Sequence, residues 1–402
     1  MNMSDAYIPY GAWWSTPFCK WQGSFAELEP IPFAAACAER ALKERGVDAA
    51  VIDELVLGTT VPSKHSFYGA PWLAGLAGLE SVTGPTLSQA CATSARCVAH
   101  AAHDVVTGAA KAALVVTADR TSNGPHVVYP QPSAPGGTAA HENWVMDNFG
   151  HDPFAKNAML DTAERVAKDL GITREEQDQV ALLRYEQYQR ALAEERAFQK
   201  RYMLDEVAVT DARGKVKHTV TGDEGIFPTT ADALAKLKPV QRDGGTVTFG
   251  SQTFPADGNA GLLVTNRDTA RSLATDNSVE VQLLGVAQAR VNKGEMPRAN
   301  GPAVREALTR AGVGLDKIKA ITTHTPFAVN DVALARELEI ELESMNRYGC
   351  SLVWGHPQAP TGLRALLELF EELALLGGGH GLFTGCAAGD SAMALVVKVN
   401  VA

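Results

Sequence analysis

Two hydrophobic rhythms alternate along the chain. Phe33 to Arg45 is alanine-rich with apolar residues at helical spacing, and Pro32 suits a helix start. Glu54 to Gly58 is a short apolar run with the length of a buried strand. From Cys91 to Val106 the helical rhythm returns, with Ala95, Val98, Ala102, Val105 and Val106 on one face and Gly108 as the stop. Ala112 to Thr117 then reads as a β-branched buried strand. Strand, helix, strand at this spacing predicts βαβ units and a largely parallel sheet.

From about Arg120 to Val240 charge density rises and the strand signal thins. Thr162 to Leu170 and Thr173 to Phe198 are charged amphipathic helices, and Thr173 with Glu176 fits a capping box. This stretch is an excursion from the sheet. The last third resumes the first rhythm: a helix over Val304 to Ala311, a strand over Lys319 to Thr323, a strongly apolar helix over Leu363 to Leu376 stopped by Gly377, and strands at Leu382 to Thr384 and Ala392 to Lys398. The two ends share an order: reactive residue, apolar helix, glycine break, strand. That order predicts two copies of one half.

Composition narrows the class. With 402 residues, 46% hydrophobic and 20% charged, the chain can bury a large core. A formal charge of −10 argues against a general nucleic-acid surface, and an anionic ligand would need a local basic patch. No apolar stretch approaches the roughly 18 residues of a membrane span. The start MNMSDAYIPYGAWW has neither a basic opening nor an apolar run. The six cysteines are therefore expected as reduced thiols in a cytoplasmic protein.

Three reactive side chains stand in small-residue settings: Cys91 in LSQACATSARC, His356 in WGHPQAPTG and Cys386 in FTGCAAGDSA. Cys91 precedes an apolar helix, whose free N–H groups favour a thiolate. His356 lies between Gly355 and Pro357 ahead of a second helix, and Cys386 is in a tight turn whose amides can form an oxyanion site. His324, at the end of an apolar strand, can donate to a substrate oxygen. Taken singly, each also fits a structural part: an inert thiol, a core histidine, a small-residue hairpin, a loop histidine. No Cys or His pair has zinc-ribbon or HExxH spacing, so no metal is expected. Together, one thiol as nucleophile, another to move a proton on carbon and an imidazole between them suit chemistry on a carbon–carbon bond beside a thioester.

The order of the segments resembles the thiolase family nearly end to end. TPFCKWQGSFAEL is similar to the family's opening strand and turn, CATS to its nucleophile segment and MLDTAERVAKDLGITREEQDQVAL to its loop-domain signature. LAKLKPVQRDGGTVTFGSQTFPADGNAGLLV resembles the return into the core, MNRYGCSLVWGHPQAPTGLR the histidine segment and GLFTGCAAGDSAMALVV the second-cysteine segment. The resemblance implies an α/β fold of two pseudo-repeated βαβ-rich halves in five layers, α/β/α/β/α, with an inserted loop domain. The implied division is 1–119 completed by 247–270, a coenzyme A-binding loop domain over 120–246, and 271–402. It implies acylation of Cys91, activation by His356 and α-carbon proton transfer by Cys386. One oxyanion hole would be formed by the amides of Cys91 and Ala388, the other by His324 and His356. Met159, Arg213, Thr253 and Phe327 would contact substrate or coenzyme A, with Lys215 and Lys217 beside Arg213 as the basic patch.

The implied activity is cleavage of a 3-oxoacyl-CoA with coenzyme A, or the reverse Claisen condensation, by a ping-pong route. Coenzyme A would be a co-substrate, with no permanently bound cofactor. A homodimer or homotetramer is implied, and a small zinc-ribbon/OB-fold partner protein goes with the sterol-carrier-like branch, to which His324 looks closer. The chain departs from the common pattern at His324–Phe327, at Ala387–Ala388 after the second cysteine, and at Cys350, Trp354, Ala158 and Thr253. These departures, with Phe254, suggest a substrate bulkier or more polar than acetoacetyl-CoA. Two other readings use the same fold: a ketoacyl-synthase-like condensing enzyme working with Cys91, His324 and His356, and a non-catalytic subunit of a complex.

Overall fold

The structure is a computed structural model and describes residues 3, 5–211, 213–241 and 244–402. The strands that carry the fold are β1 (Tyr7–Ile8), β2 (Glu54–Gly58), β3 (Ala112–Arg120), β4 (Ala256–Thr265), β5 (Val279–Arg290), β6 (Ile318–His324), β7 (Gly379–Ala387) and β8 (Ser391–Val401). The helices that cover them are α1 (Pro30–Glu44), α2 (Gly69–Leu76), α3 (Thr93–Thr107), α4 (Met159–Leu170), α5 (Arg174–Lys200), α6 (Asn300–Ala311), α7 (Ala328–Leu338) and α8 (Ala359–Leu375).

Each half is built the same way. In the first, β2 and β3 are parallel and β3 pairs antiparallel with β4. In the second, β6 and β7 are parallel and β7 pairs antiparallel with β8, which continues to β5. The short β1 pairs with both β4 and β5 and joins the halves. The sheet is therefore mixed, not largely parallel. Only the residues Ala388 to Asp390 separate β7 from β8, and so short a link permits a hairpin but no crossover.

Burial sorts these elements into five layers. The helices α1 and α2 pack with Leu114 and Val116 on the outer face of the first half. In the middle, α3 and α8 pack together with Val115 and Leu262 on one side and Leu395 and Val397 on the other. Helices α6 and α7 cover Leu382, Ala394 and Val396 on the outer face of the second half. A middle layer needs apolar residues all round. In α8 every residue from Ala359 to Leu373 is buried, which explains its near-continuous apolar sequence.

The chain leaves the sheet after Arg120 and returns at Ala256. Two short hairpins, His126–Tyr129 with Ala140–Asn143 and Val207–Thr210 with Val216–Val220, accompany α4 and α5 there. The capping box at α5 forms: Thr173 Oγ1 accepts from the Glu176 amide at 3.2 Å, and Glu176 Oε2 from the Thr173 amide at 2.8 Å. Helix α5 is interrupted at Ala193 to Arg196, where Glu194, Glu195 and Arg196 are left-handed. Among the described residues no helix is long and apolar enough to cross a membrane.

Candidate active site

The site lies where the two middle-layer helices begin. Cys91 precedes α3 by two residues, in a tight turn. Ala90 before it has φ of 45°, a conformation an alanine adopts only under constraint. Thr93 supplies that constraint: its Oγ1 donates to Ala90 O at 2.6 Å and accepts from the Gln89 amide at 2.8 Å. His356 stands just before α8. Its amide donates to Phe254 O at 2.8 Å, which fixes it against the return segment into β4. Ser94 of α3 donates its hydroxyl to Ala359 O, so the starts of the two helices are tied directly.

This juxtaposition puts His356 Nε2 3.1 Å from Cys91 Sγ. His356 Nδ1 is 2.5 Å from Thr361 Oγ1, one turn into α8, which holds the ring with Nε2 toward the thiol. Burial, then the neighbouring His324, pushes the His356 pKa well below its ordinary value, so the imidazole is neutral and able to accept a proton. The amides of Cys91 and Ala388 both point at the Cys91 sulfur and favour its thiolate. Burial outweighs them, and the thiol is pushed up to about 12. The amides thus act in the direction expected of a helix start, and the net balance with burial favours a thiol facing a neutral imidazole.

The second half brings the remaining groups. The β6–β7 register pairs His324 with Gly385, one residue before Cys386. The His324 and His356 rings stack with centroids 4.1 Å apart. Ser351 Oγ accepts from the Thr325 amide at 3.0 Å and lies 2.9 Å from His324 Nδ1. With Ser351 as donor to Nδ1, the proton of the neutral ring is on Nε2, which is buried with no hydrogen-bond partner among the described residues. Burial lowers the His324 pKa to about 3, so it donates as a neutral imidazole. Cys386 accepts a hydrogen bond from Asn330 Nδ2 at 3.2 Å. Burial first, then the Cys91 thiol, raises the Cys386 pKa well above the ordinary thiol value.

Cys91, His324, His356, Cys386, Ala388, Met159, Thr253 and Phe327 all line one cavity of about 280 Å³. Arg213 is not on its wall. It lies in the turn of the second hairpin, exposed, and Lys217 of that hairpin pairs with Glu27 at 2.8 Å. The basic patch is thus apart from the reactive groups. Of the departures expected to shape the cavity, His324, Pro326, Phe327 and Thr253 do so. Trp354 is fully buried against Phe18, Phe254 lines a neighbouring groove, and Ala158 caps α4.

Four contributors were not singled out from the sequence. Gln358 accepts from the Cys91 thiol at 3.4 Å, Asn330 holds Cys386, and Thr361 and Ser351 orient the two histidines. Gln358 and Thr361 lie in the HPQAPTG motif and Asn330 in HTPFAVND, so nearness to a reactive residue was the available signal. Asp119 is a fifth. At the end of β3 it accepts from the amides of Thr60, Val61 and Ala359 at 2.8, 3.0 and 2.9 Å, clamping the start of α8 to the first half.

A thiol facing a neutral base, a second thiol and converging N–H donors are the groups that acyl transfer requires. The thiolase N-terminal domain family matches residues 13–268 and the thiolase C-terminal domain family residues 278–399. The chain is 31% identical to the 3-ketoacyl-CoA thiolase of Bacillus subtilis, covering 99% of this chain and 100% of that protein. It is also 31% identical to the beta-ketoadipyl-CoA thiolase of Pseudomonas knackmussii, covering 95% and 96%. The crystal structure of the Bacillus anthracis acetyl-CoA acetyltransferase superposes with a TM-score of 0.88 at 25% identity over 99% of both chains. The protein belongs to the thiolase family and is an acyltransferase. The sterol-carrier-like branch finds no separate support in these relatives.

Proposed function

We propose that the protein cleaves a 3-oxoacyl-CoA with coenzyme A, or runs the reverse condensation, through an acyl-Cys91 thioester. The observation that carries this reading is the meeting of Cys91, His356 and Cys386 on one cavity wall. Cys91 Sγ attacks the 3-oxo carbon as its proton passes to His356 Nε2, and the oxyanion is met by the amides of Cys91 and Ala388. The carbon–carbon bond then breaks. Its electron pair leaves as the enolate of acetyl-CoA, whose oxygen is held by His324 and His356 and whose carbon takes the proton of Cys386. In the second half, the thiol of coenzyme A gives its proton to the Cys386 thiolate and attacks the acyl-enzyme. Cys91 departs and recovers its proton from His356. A condensing enzyme needing one cysteine would leave Cys386 without a task, so the second thiol in the cavity favours the thiolase reading.

The excursion over 120–246 serves as the platform for coenzyme A. A groove of about 520 Å³ shares Gln252 with the catalytic cavity and is walled by Ile226, Phe227, Leu234 and Phe249, with Lys20 as its cation. It suits a flexible, largely apolar carrier arm better than the exposed hairpin of Arg213 and Lys215. A homodimer or homotetramer goes with this reading, and the acyl group is bulkier or more polar than acetoacetyl.

Intact mass after incubation with acetyl-CoA should show one acetyl adduct at Cys91, absent in Cys91→Ser. Cys386→Ala should still be acetylated yet lose carbon–carbon cleavage by at least about 10²-fold, the scale of a positioned proton donor. An adduct on Cys386 with Cys91 free, or full cleavage activity in the alanine variant, would overturn the assignment.

A further inference from the structure

We propose that the acyl group handled at Cys91 ends in a carboxylate and that Arg290 receives it. This rests on the acyl-Cys91 reading and names the substrate class of that site. A second cavity of about 450 Å³ shares the walls Phe149, Gln358 and Ala388 with the catalytic cavity, and Ala90, the neighbour of Cys91, also lines it. The carrier groove meets the catalytic cavity elsewhere, at Gln252. An acyl carbonyl seated between the Cys91 and Ala388 amides, with its carrier arm toward Gln252, therefore directs its tail past Ala388 into this side cavity.

The side cavity is apolar along one wall, at Trp144, Val145 and Phe149, and cationic at Arg290. Arg290 ends β5. Its Nε donates to Gly389 O at 3.1 Å, and its guanidinium is 5.2 Å from the centroid of the Phe154 ring. Lys293 Nζ lies 3.9 Å from the same centroid. Among the described residues neither cation has a carboxylate partner, although the protein carries ten more acidic than basic side chains. The acidic group on the wall, Asp152, makes no ion pair with Arg290 among the described residues; its Oδ1 accepts from the amides of Phe154 and Ala155 at 2.7 and 2.8 Å. Arg290 is thus anchored through Nε and stacked on a ring, with its two terminal nitrogens uncommitted. That fork matches a carboxylate in two-point contact. Arg290 is solvent-exposed at the mouth of the cavity, so a tail whose methylenes follow the tryptophan wall brings a terminal carboxylate to its fork, whereas a purely apolar tail leaves that fork to water.

The test compares two thioesters on the same coenzyme A arm: a short 3-oxoacyl-CoA ending in a carboxylate, and its methyl ester. Wild type should favour the acid in kcat/KM by about tenfold or more, the value of a hydrogen bond to a charged group. Arg290→Gln should collapse that ratio and Arg290→Lys should restore part of it. An ester turned over as well as the acid overturns the proposal. So does a Gln variant that slows both substrates equally, because Arg290 would then serve the carrier phosphates or the Gly389 turn. Calorimetric binding of the same two thioesters to Cys91→Ala reads the preference without turnover. If wild type forms no acyl-Cys91 with either thioester, the chemistry assigned to Cys91 fails, while the affinity ratio still decides for or against Arg290.

Discussion

On the proposed route Cys91 starts as a thiol, because burial raises its pKa more than the two amide N–H groups lower it. The consequence is a proton that moves during attack, not before it. His356 must be neutral to accept it. Its pKa is displaced downward from the ordinary 6.5, so the competent form persists as pH falls through that value. Cys91 is displaced upward from 9.0, so no new thiolate population accelerates the step as pH rises to that value. Single-turnover acylation by acetyl-CoA should therefore be level between these two ordinary values. A break near 6.5, seen by rapid quench across pH, would show a solvated imidazole instead. Cys91, His324, His356 and Cys386 type the chemistry in the sequence because thiols and imidazoles are scarce. The amides that share the work have no side-chain signature, so the small-residue turn after Cys386 marks an oxyanion site, while the choice of Ala388 within it rests on the resemblance.

At the scale of elements, carboxylates fasten the excursion to the middle layer: Asp223 binds Arg364 of α8, and Glu368 and Glu371 of α8 bind Tyr202 and Arg201. Asp223 accepts from both terminal nitrogens of Arg364 in α8, at 2.6 and 2.9 Å, and also from Tyr188 Oη at 3.0 Å and the Phe18 amide at 2.8 Å. Arg364 is fully buried between the rings of Phe18 and Trp354. Among the described residues Asp223→Ala would leave that guanidinium with only the Glu368 carboxylate, 3.1 Å from its Nε, and should cost about 3–5 kcal/mol of stability in urea denaturation. The triple variant Asp223→Leu, Arg364→Met and Glu368→Gln should cost less than the single, because it removes Glu368, the other carboxylate on Arg364, and leaves no charge of the cluster unpaired. A single variant within about 1 kcal/mol of wild type would mean that the pair behaves as a surface bridge. Periodicity located α3, α8, β2 and β3 to within a few residues. It missed β4 and β5 as strands. The stretch Ala256–Thr265 is buried throughout, so no alternation marks it, and glycine and alanine fill many of its positions.

At the scale of the whole molecule, activity depends on two helix starts meeting from two halves. Gly362 in α8 makes that approach possible: a Cβ there would lie 3.0 Å from Ser94 Cβ of α3 and 3.0 Å from the Phe383 ring. Gly362→Val should push the helices apart and cost about 1–3 kcal/mol by overpacking. Acylation of Cys91 should fall by about 10²-fold while the circular dichroism spectrum is kept, because the 3.1 Å contact to His356 is set across this seam. Unchanged acylation would place control of that contact in the local turns alone.

What the sequence determined by itself was the repeated order of reactive residue, apolar helix and strand, the excursion between the halves, and the kind of chemistry that Cys91, His356 and Cys386 can perform. These are local properties, fixed by periodicity and by the reactivity of single side chains. Tertiary structure decided which groups face one cavity. It set Arg213 apart from it, buried Trp354 behind it, gave His356 its neutral form and brought Arg290 beside Ala388 and Gly389 from a distant strand. The physical reason is that desolvation and long-range pairing depend on what packs across a layer, and neighbours along the chain carry no record of that.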